Sequence, residues 1–132
     1  MDATSKVIPI EIAQQIANQI DQAHGTPMVE ARIYGLLADA GYTAEEIGPM
    51  TRVHWARVLL NRLALRKLSA DAQAMVDHGA LSGDSGYHIA QLGPEGQAGM
   101  LARIRNGEFA TDNDLQCAAL DIQGDEEAAI PA

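Results

Sequence analysis

Apolar positions recur at helical spacing along nearly the whole chain, and no segment alternates apolar and polar residues for the length of a strand. Ile12, Ile16 and Ile20 return every fourth residue with Ala13 and Ala17 beside them. This amphipathic stripe predicts a first helix from about Ile10 to Ala23, stopped by His24-Gly25 and preceded by a frayed segment, residues 1–9. The stripe suits either a domain core or the seam of a homodimer. Thr26-Pro27 then reads as a helix start, with the hydroxyl as cap and proline at the first helical position. Val29, Ile33, Leu36 and Leu37 would face inward, and Gly41 would end that helix. Thr43-Ala-Glu-Glu46 has the form of a capping box. The short helix it opens is expected to close at Gly48-Pro49, because proline interrupts the hydrogen-bond ladder. The next helix is predicted from about Thr51 to Lys67.

Beyond it, Ser69 or Asp71 caps a helix through Val76 that ends at His78-Gly79. Leu81-Ser82-Gly83-Asp84 is a turn before a helix from Ser85 to Leu92, and Gly93-Pro94-Glu95-Gly96 is a further turn. Gln97 to Arg105 carries Met100, Leu101 and Ile104 inward and stops at Asn106-Gly107. Thr111 opens a last helix containing Leu115, Ala118, Ala119 and Ile122. Residues from Gly124 onward form an acidic, alanine-rich tail with no evident reason to be ordered. The pattern predicts an all-α protein, a compact bundle of short helices. Few aromatics are present, so alanine and leucine must supply the core, which suits closely packed helices.

Charge changes the picture. The formal net charge is −9, which argues against a generally basic nucleic-acid-binding surface. Yet the charges are sorted. Between Ile47 and Ala70 stand Arg52, Arg57, Arg62, Arg66 and Lys67 with no acid, whereas seven acids and no base follow from Glu108 onward. At 100° per residue, Trp55, Ala56, Leu59, Leu60 and Leu63 share one broad face of the basic helix. His54, Arg57 and Asn61 fall opposite. Arg62 and Arg66 flank the apolar face, where they suit either phosphates or ion pairs with acids of neighbouring helices.

A short helix, a tight turn at Gly48–Met50 and a basic helix make a helix-turn-helix pattern. A helix fits the major groove of duplex DNA, with early side chains at base edges and arginines on phosphates. This reading places Arg52, His54 and Arg57 nearest the bases, and Arg62, Arg66 and Lys67 along the backbone.

Other chemistry finds little footing. The single Cys117 excludes an intrachain disulfide and reads as a small core residue. His24, His54, His78 and His88 form no close metal-binding cluster, and the glycines never spell a phosphate loop. Ser82, Ser85 and His88 lie in a turn and helix without a strand-turn-helix elbow, and capping accounts for both serines. No enzyme, metal or cofactor is therefore expected. No apolar run reaches roughly 18 residues, so no membrane span is expected, and a cytoplasmic location is the default.

Several spaced stretches resemble the helix-turn-helix domain of ParB/KorB-type partition proteins. Pro27-Met-Val-Glu30-Ala31 followed by Tyr34 and Leu37 is similar to the family's P-x-x-E-A helix. Gly41-Tyr-Thr43-Ala-Glu45-Glu46-Ile47 resembles its G-[LY]-T-x-E-E-[IV] segment, and Val58 to Leu65 occupies the place of its leucine-rich recognition helix. Leu68-Ser-Ala-Asp-Ala-Gln73 through Val76, then Gly79-Ala-Leu81-Ser82, resembles L-P-x-x-[VA]-x-x-x-[IV]-x-x-G-x-L-S. Ile89-Ala90, Leu92 and Gln97 continue the likeness.

The resemblance implies a helix segment at 1–24, a ParB/KorB-like domain at 25–107 and a C-terminal helix with acidic tail at 108–132. It implies sequence-specific binding of double-stranded DNA, usually as a dimer, through Thr51, Arg52, His54 and Arg57, with Asn61, Arg62, Arg66 and Lys67 alongside. The turn departs from the family's A-x-x-x-G-K-S, since Gly48-Pro49-Met50-Thr51 shortens it. The family's G-E-R-R nucleotide-binding segment is not in this sequence, so CTP-dependent clamp loading is not expected. The expected role is a transcriptional regulator (a repressor) or an accessory protein of a plasmid or other mobile element. The alternative is a protein-binding adaptor or inhibitor that keeps the scaffold without DNA binding and works through its acidic surface. The charge sorting also suggests that the acidic end, at Asp121, Asp125, Glu126 and Glu127, folds back over Arg52–Lys67 and competes with DNA, against the simpler expectation of a solvated tail.

Overall fold

The computed structural model describes residues 6–22, 26–53 and 56–130. Among the described residues the chain is all-α, with eight α-helices, two 3₁₀ turns and no strand. None of these helices is long and apolar enough to cross a membrane. The chain divides into two compact units, Met1–Arg66 and Lys67–Ala132, a boundary that falls inside the 25–107 segment delimited by resemblance. The division also sorts the charge. The first unit has six basic and seven acidic residues, the second three and eleven, so nearly all of the net −9 sits in the second.

In the first unit, α1 (Ile10–Asn18) continues as a 3₁₀ turn (Gln19–Gln22) and packs against α2 (Pro27–Asp39) and α3 (Ala44–Thr51). The face it buries is Ala13, Ala17 and Ile20, and Ile12 of the expected stripe is 43% exposed. Alanine at the contact lets helix backbones approach closely, which leaves the larger Ile12 on the flank. On α2, Met28, Ala31, Ile33, Tyr34 and Leu37 are buried, but Leu36 points outward at 57% exposure. Pro27 opens α2 as expected, although Thr26 makes no side-chain cap bond. The lead-in is not frayed from residue 6 onward. Val7 N–H donates to Ala40 O at 2.8 Å, and the Tyr42 hydroxyl donates to Ile8 O at 2.7 Å. These bonds tie the segment to the end of α2. α4 (Ala56–Ala64) lies on α2 and α3 and leads into a 3₁₀ turn, Leu65–Lys67.

In the second unit, α5 (Ala70–Asp77), α6 (Gly83–Ala90) and α7 (Pro94–Arg105) pack in sequence, and α8 (Asp112–Ala128) lies on α6 and α7. Ser69, Ser82 and Thr111 each cap the helix that follows, their side-chain oxygens accepting the backbone N–H of its third residue. Two starts are earlier than expected. Ser82 moves the start of α6 to Gly83, and α7 begins at Pro94. Ser85 is not a cap: it is fully buried, and its hydroxyl accepts from Gln116 Nε2 at 3.3 Å. Cys117 is exposed, not core.

The tail expectation also needs correction. α8 runs through Gly124 to Ala128. Its end is fastened by Glu126, whose Oε1 accepts the Gly93 N–H at 3.0 Å. Gly93 is the N-cap of α7, where a carboxylate faces the positive end of the helix dipole.

Gln97 joins the inter-helix turns of this unit. It is buried, and Oε1 accepts from Ser69 N at 2.8 Å. Nε2 donates to Lys67 O at 3.2 Å and to Leu92 O at 3.1 Å. A buried amide with its groups satisfied fixes loop positions that apolar packing leaves free. Gln97→Leu strips three partners at once. It is expected to destabilise the protein by about 2–4 kcal/mol, read as a lowered midpoint in urea unfolding followed by circular dichroism.

Candidate nucleic-acid interface

The segment from Thr43 to Arg66 is built from its caps inward. Thr43 Oγ1 accepts the Glu46 N–H at 3.3 Å, and the Thr43 N–H donates to Glu46 Oε1 at 2.9 Å, completing the expected capping box. The Thr43 N–H and the neighbouring Lys6 ammonium, 3.0 Å from Glu46 Oε1, hold this carboxyl below the usual glutamate range.

α3 does not stop at Gly48-Pro49. It carries Pro49 inside it and ends at Thr51. The end is a Schellman motif: the Val53 N–H donates to Gly48 O at 2.9 Å and the Arg52 N–H to Pro49 O at 3.3 Å. Arg52 occupies the left-handed position with φ 60° and ψ 28°. The same motif ends α2, α5 and α7, where Gly41, Gly79 and Gly107 hold the positive φ. Arginine there strains the backbone by about 1–2 kcal/mol, because its Cβ crowds the following carbonyl. α3 thus ends at Thr51, Arg52 and Val53 follow it outside any helix, and α4 is described from Ala56. The turn expected at Gly48–Met50 lies further along, and the four residues after Ile47 belong to α3.

This shift re-sorts the sequence-predicted residues. Thr51 closes α3 rather than opening the next helix. It is 4% exposed, and its hydroxyl donates to Ile47 O at 2.8 Å and lies 3.3 Å from Gly48 O. A hydroxyl spent on its own helix offers nothing to a ligand. Arg52 follows α3, off α4. His54 and Trp55 lie outside the described residues. On α4, Leu59 is buried and Leu63 partly buried, as the wheel predicts, while Leu60 is 54% and Val58 40% exposed. Arg57 is exposed and Asn61 half-buried one turn later. Among the described residues Arg57 and Lys67 make no ion pair. Lys67 belongs to the second unit.

The other three arginines are held by acids of α2 and of the 3₁₀ turn after α1, which for Arg62 and Arg66 is the ion-pair alternative to phosphate contacts. Arg52 pairs with Asp21, which raises the guanidinium pKa further. Arg62 Nε donates to Glu30 Oε1 at 3.0 Å, with side chains 21% and 12% exposed. Arg66 donates to Asp39 Oδ2 at 2.6 Å, at 39% and 66% exposure. Gly35 explains how Arg66 gets there. A Cβ built on Gly35 would lie 2.6–2.8 Å from the Nε, Cδ and Cζ atoms of Arg66, so the guanidinium end lies against bare α2 backbone. A glycine inside a helix costs about 1 kcal/mol relative to alanine, and this contact is the use made of it. That mid-helix glycine was the one visible signal of the docking. Beside the Arg62 pair, burial and the Glu30 carboxylate push Tyr34 up to about 12, with Arg62 opposing.

Burial ranks these pairs. The two exposed pairs contribute little, because water competes for both partners and salt screens them. The Arg62–Glu30 pair is largely withdrawn from water, so losing one partner strands the other. No group of three or more His, Cys, Asp or Glu that could hold a metal ion occurs among the described residues. No family model matches the chain, nor does any curated protein or solved structure.

Two measurements check this account. Glu30→Ala is expected to destabilise the protein by about 1–3 kcal/mol in chemical unfolding, and a Glu30→Leu/Arg62→Leu pair to recover most of that loss. In an Asp21→Asn background, which removes the ion pair, Arg52→Gly is expected to raise stability by about 1 kcal/mol by relieving the left-handed strain.

Proposed function

We propose that the first unit binds double-stranded DNA through α4, as a sequence-specific regulator that follows the ParB/KorB resemblance. The observation that carries the reading is the pair of successive helices α3 and α4, with Leu59 of α4 buried beneath and Arg57 displayed in solvent. Arg57 and Asn61 stand four residues apart on one helix face. Arginine is the side chain that pairs bidentately with guanine, and asparagine the one that pairs with adenine. Leu60 beside them has the chemistry to meet a thymine methyl. A repressor, or an accessory protein of a plasmid or mobile element, is the role that goes with the resemblance. Binding as a homodimer would match a two-fold operator. Ile10 and Ile12 are the exposed apolar residues that α1 has left for such a seam.

A second reading rests on a different observation. The second unit carries eleven acids against three bases, which fits an adaptor or inhibitor binding a basic partner protein. One experiment separates the two. Duplexes selected from a random library against the whole protein should show a consensus. Arg57→Glu should abolish binding to that consensus while leaving the helical circular dichroism unchanged, because the side chain is exposed. Unaltered binding by Arg57→Glu would remove α4 as the reading helix, and failure to select any duplex would favour the adaptor.

A further inference from the structure

Starting from the DNA-binding reading of α4, we infer that Arg52 and Arg66 are phosphate-gripping residues held in reserve, and that Asp21 and Asp39 occupy the seats that backbone phosphates take over. Three observations lead there. First, between Ile47 and Ala70, where the sequence has no acid, every arginine except Arg57 is met by a carboxylate of α2 or of the 3₁₀ turn that follows α1. A carboxylate presents a guanidinium with the same planar pair of acceptor oxygens as a phosphate. Second, exposure divides the pairs. Arg52–Asp21 and Arg66–Asp39 lie in solvent, where one anion exchanges for another at little loss, whereas Arg62–Glu30 is withdrawn from water. Third, Gly35 gives Arg66 a bed on α2 that any side chain would fill, so the docked position is shaped by the sequence.

The consequence is a device that weakens nonspecific binding. An arginine already paired adds to DNA affinity only the difference between phosphate and carboxylate. Among these four arginines, random DNA is then gripped by Arg57 alone. A duplex seated deeply enough to bring phosphates to Arg52 and Arg66 would draw both off their carboxylates. Arg62 stays with Glu30 and belongs to the fold.

The test uses variants that release an arginine without touching it. Gly35→Ala leaves every charge in place, puts a methyl where the Arg66 guanidinium lies, and suits a helix better than glycine does. Asp39→Asn removes the competing charge directly. Binding of random-sequence duplex DNA to the whole protein is measured by fluorescence anisotropy across a salt series, with Arg57→Glu as a parallel arm. Both releasing variants should bind up to about fivefold more tightly than the original chain, the value of one exposed ion pair. The slope of log affinity against log salt should steepen by about 0.9, one additional phosphate contact. Adding Arg66→Gln to either variant should cancel both gains. A change in stability alone would move neither the slope nor its cancellation.

If Arg57→Glu abolishes binding while Gly35→Ala and Asp39→Asn leave affinity and slope unchanged, the reserve is refuted and the reading helix stands. If Arg57→Glu binds like the original chain, the reading itself fails. Absence of DNA binding in the original chain and in both releasing variants overturns both.

Discussion

The left-handed backbone at Arg52 decides where α3 ends, and with it where everything downstream of α3 begins. A helix that reaches a left-handed residue must turn, because its next carbonyls and amides no longer point along the axis. Elsewhere in the chain that duty falls to Gly41, Gly79 and Gly107, which carry it without strain. At residue 52 an arginine carries it, held by Asp21 and by the backbone bonds from Val53 to Gly48 and from Arg52 to Pro49. Thr51 consequently seals the helix end from inside, and α4 starts at Ala56 with Arg57 on its opening turn.

Electrostatics in the first unit follows burial rather than proximity. All three guanidinium–carboxylate contacts bring the charged groups together, yet they differ in what water can do. Around Arg62 and Glu30 solvent is mostly excluded, and Tyr34 beside them registers the same low-dielectric surroundings by holding its proton to about pH 12. Around Arg52 and Arg66 the solvent competes, so those pairs are replaceable. Five basic residues in one stretch do not amount to a five-charge surface. On α4 the arginine left in solvent without an acid is Arg57, with Leu60 and Val58 exposed beside it.

The second unit has another character. Its order rests on polar clasps as much as on apolar packing. Gln97 gathers the turns before α5 and α7, Glu126 caps α7 from the far end of α8, and Gln116 reaches the buried Ser85. Each is a polar group satisfied where it would otherwise be costly. With eleven acids on so small a unit, such bonds hold the helices against the repulsion of their own charge.

Much of this was determined locally by the sequence. The helix count and order, the capping box at Thr43 and Glu46, proline at the start of α2, the caps at Ser69 and Thr111 and the glycine stops all depend on residues within one turn of each other, and side-chain chemistry fixes them before any tertiary contact forms. The clustering of arginines was equally plain. Other features depended on distant partners. Periodicity could not choose Ala13 and Ala17 over Ile12, or turn Leu36 and Leu60 outward, because closeness of approach between helices is a property of the pair. It ended α3 too early at Pro49, since proline disfavours a helix interior and only the surrounding contacts hold the helix through it. It left the end of α8 loose, for want of the Gly93 amide that Glu126 finds. Above all, no local rule shows that Asp21, Glu30 and Asp39 meet arginines 27 to 32 residues away, so how much positive charge is free was decided by the packing of α1, α2 and α4.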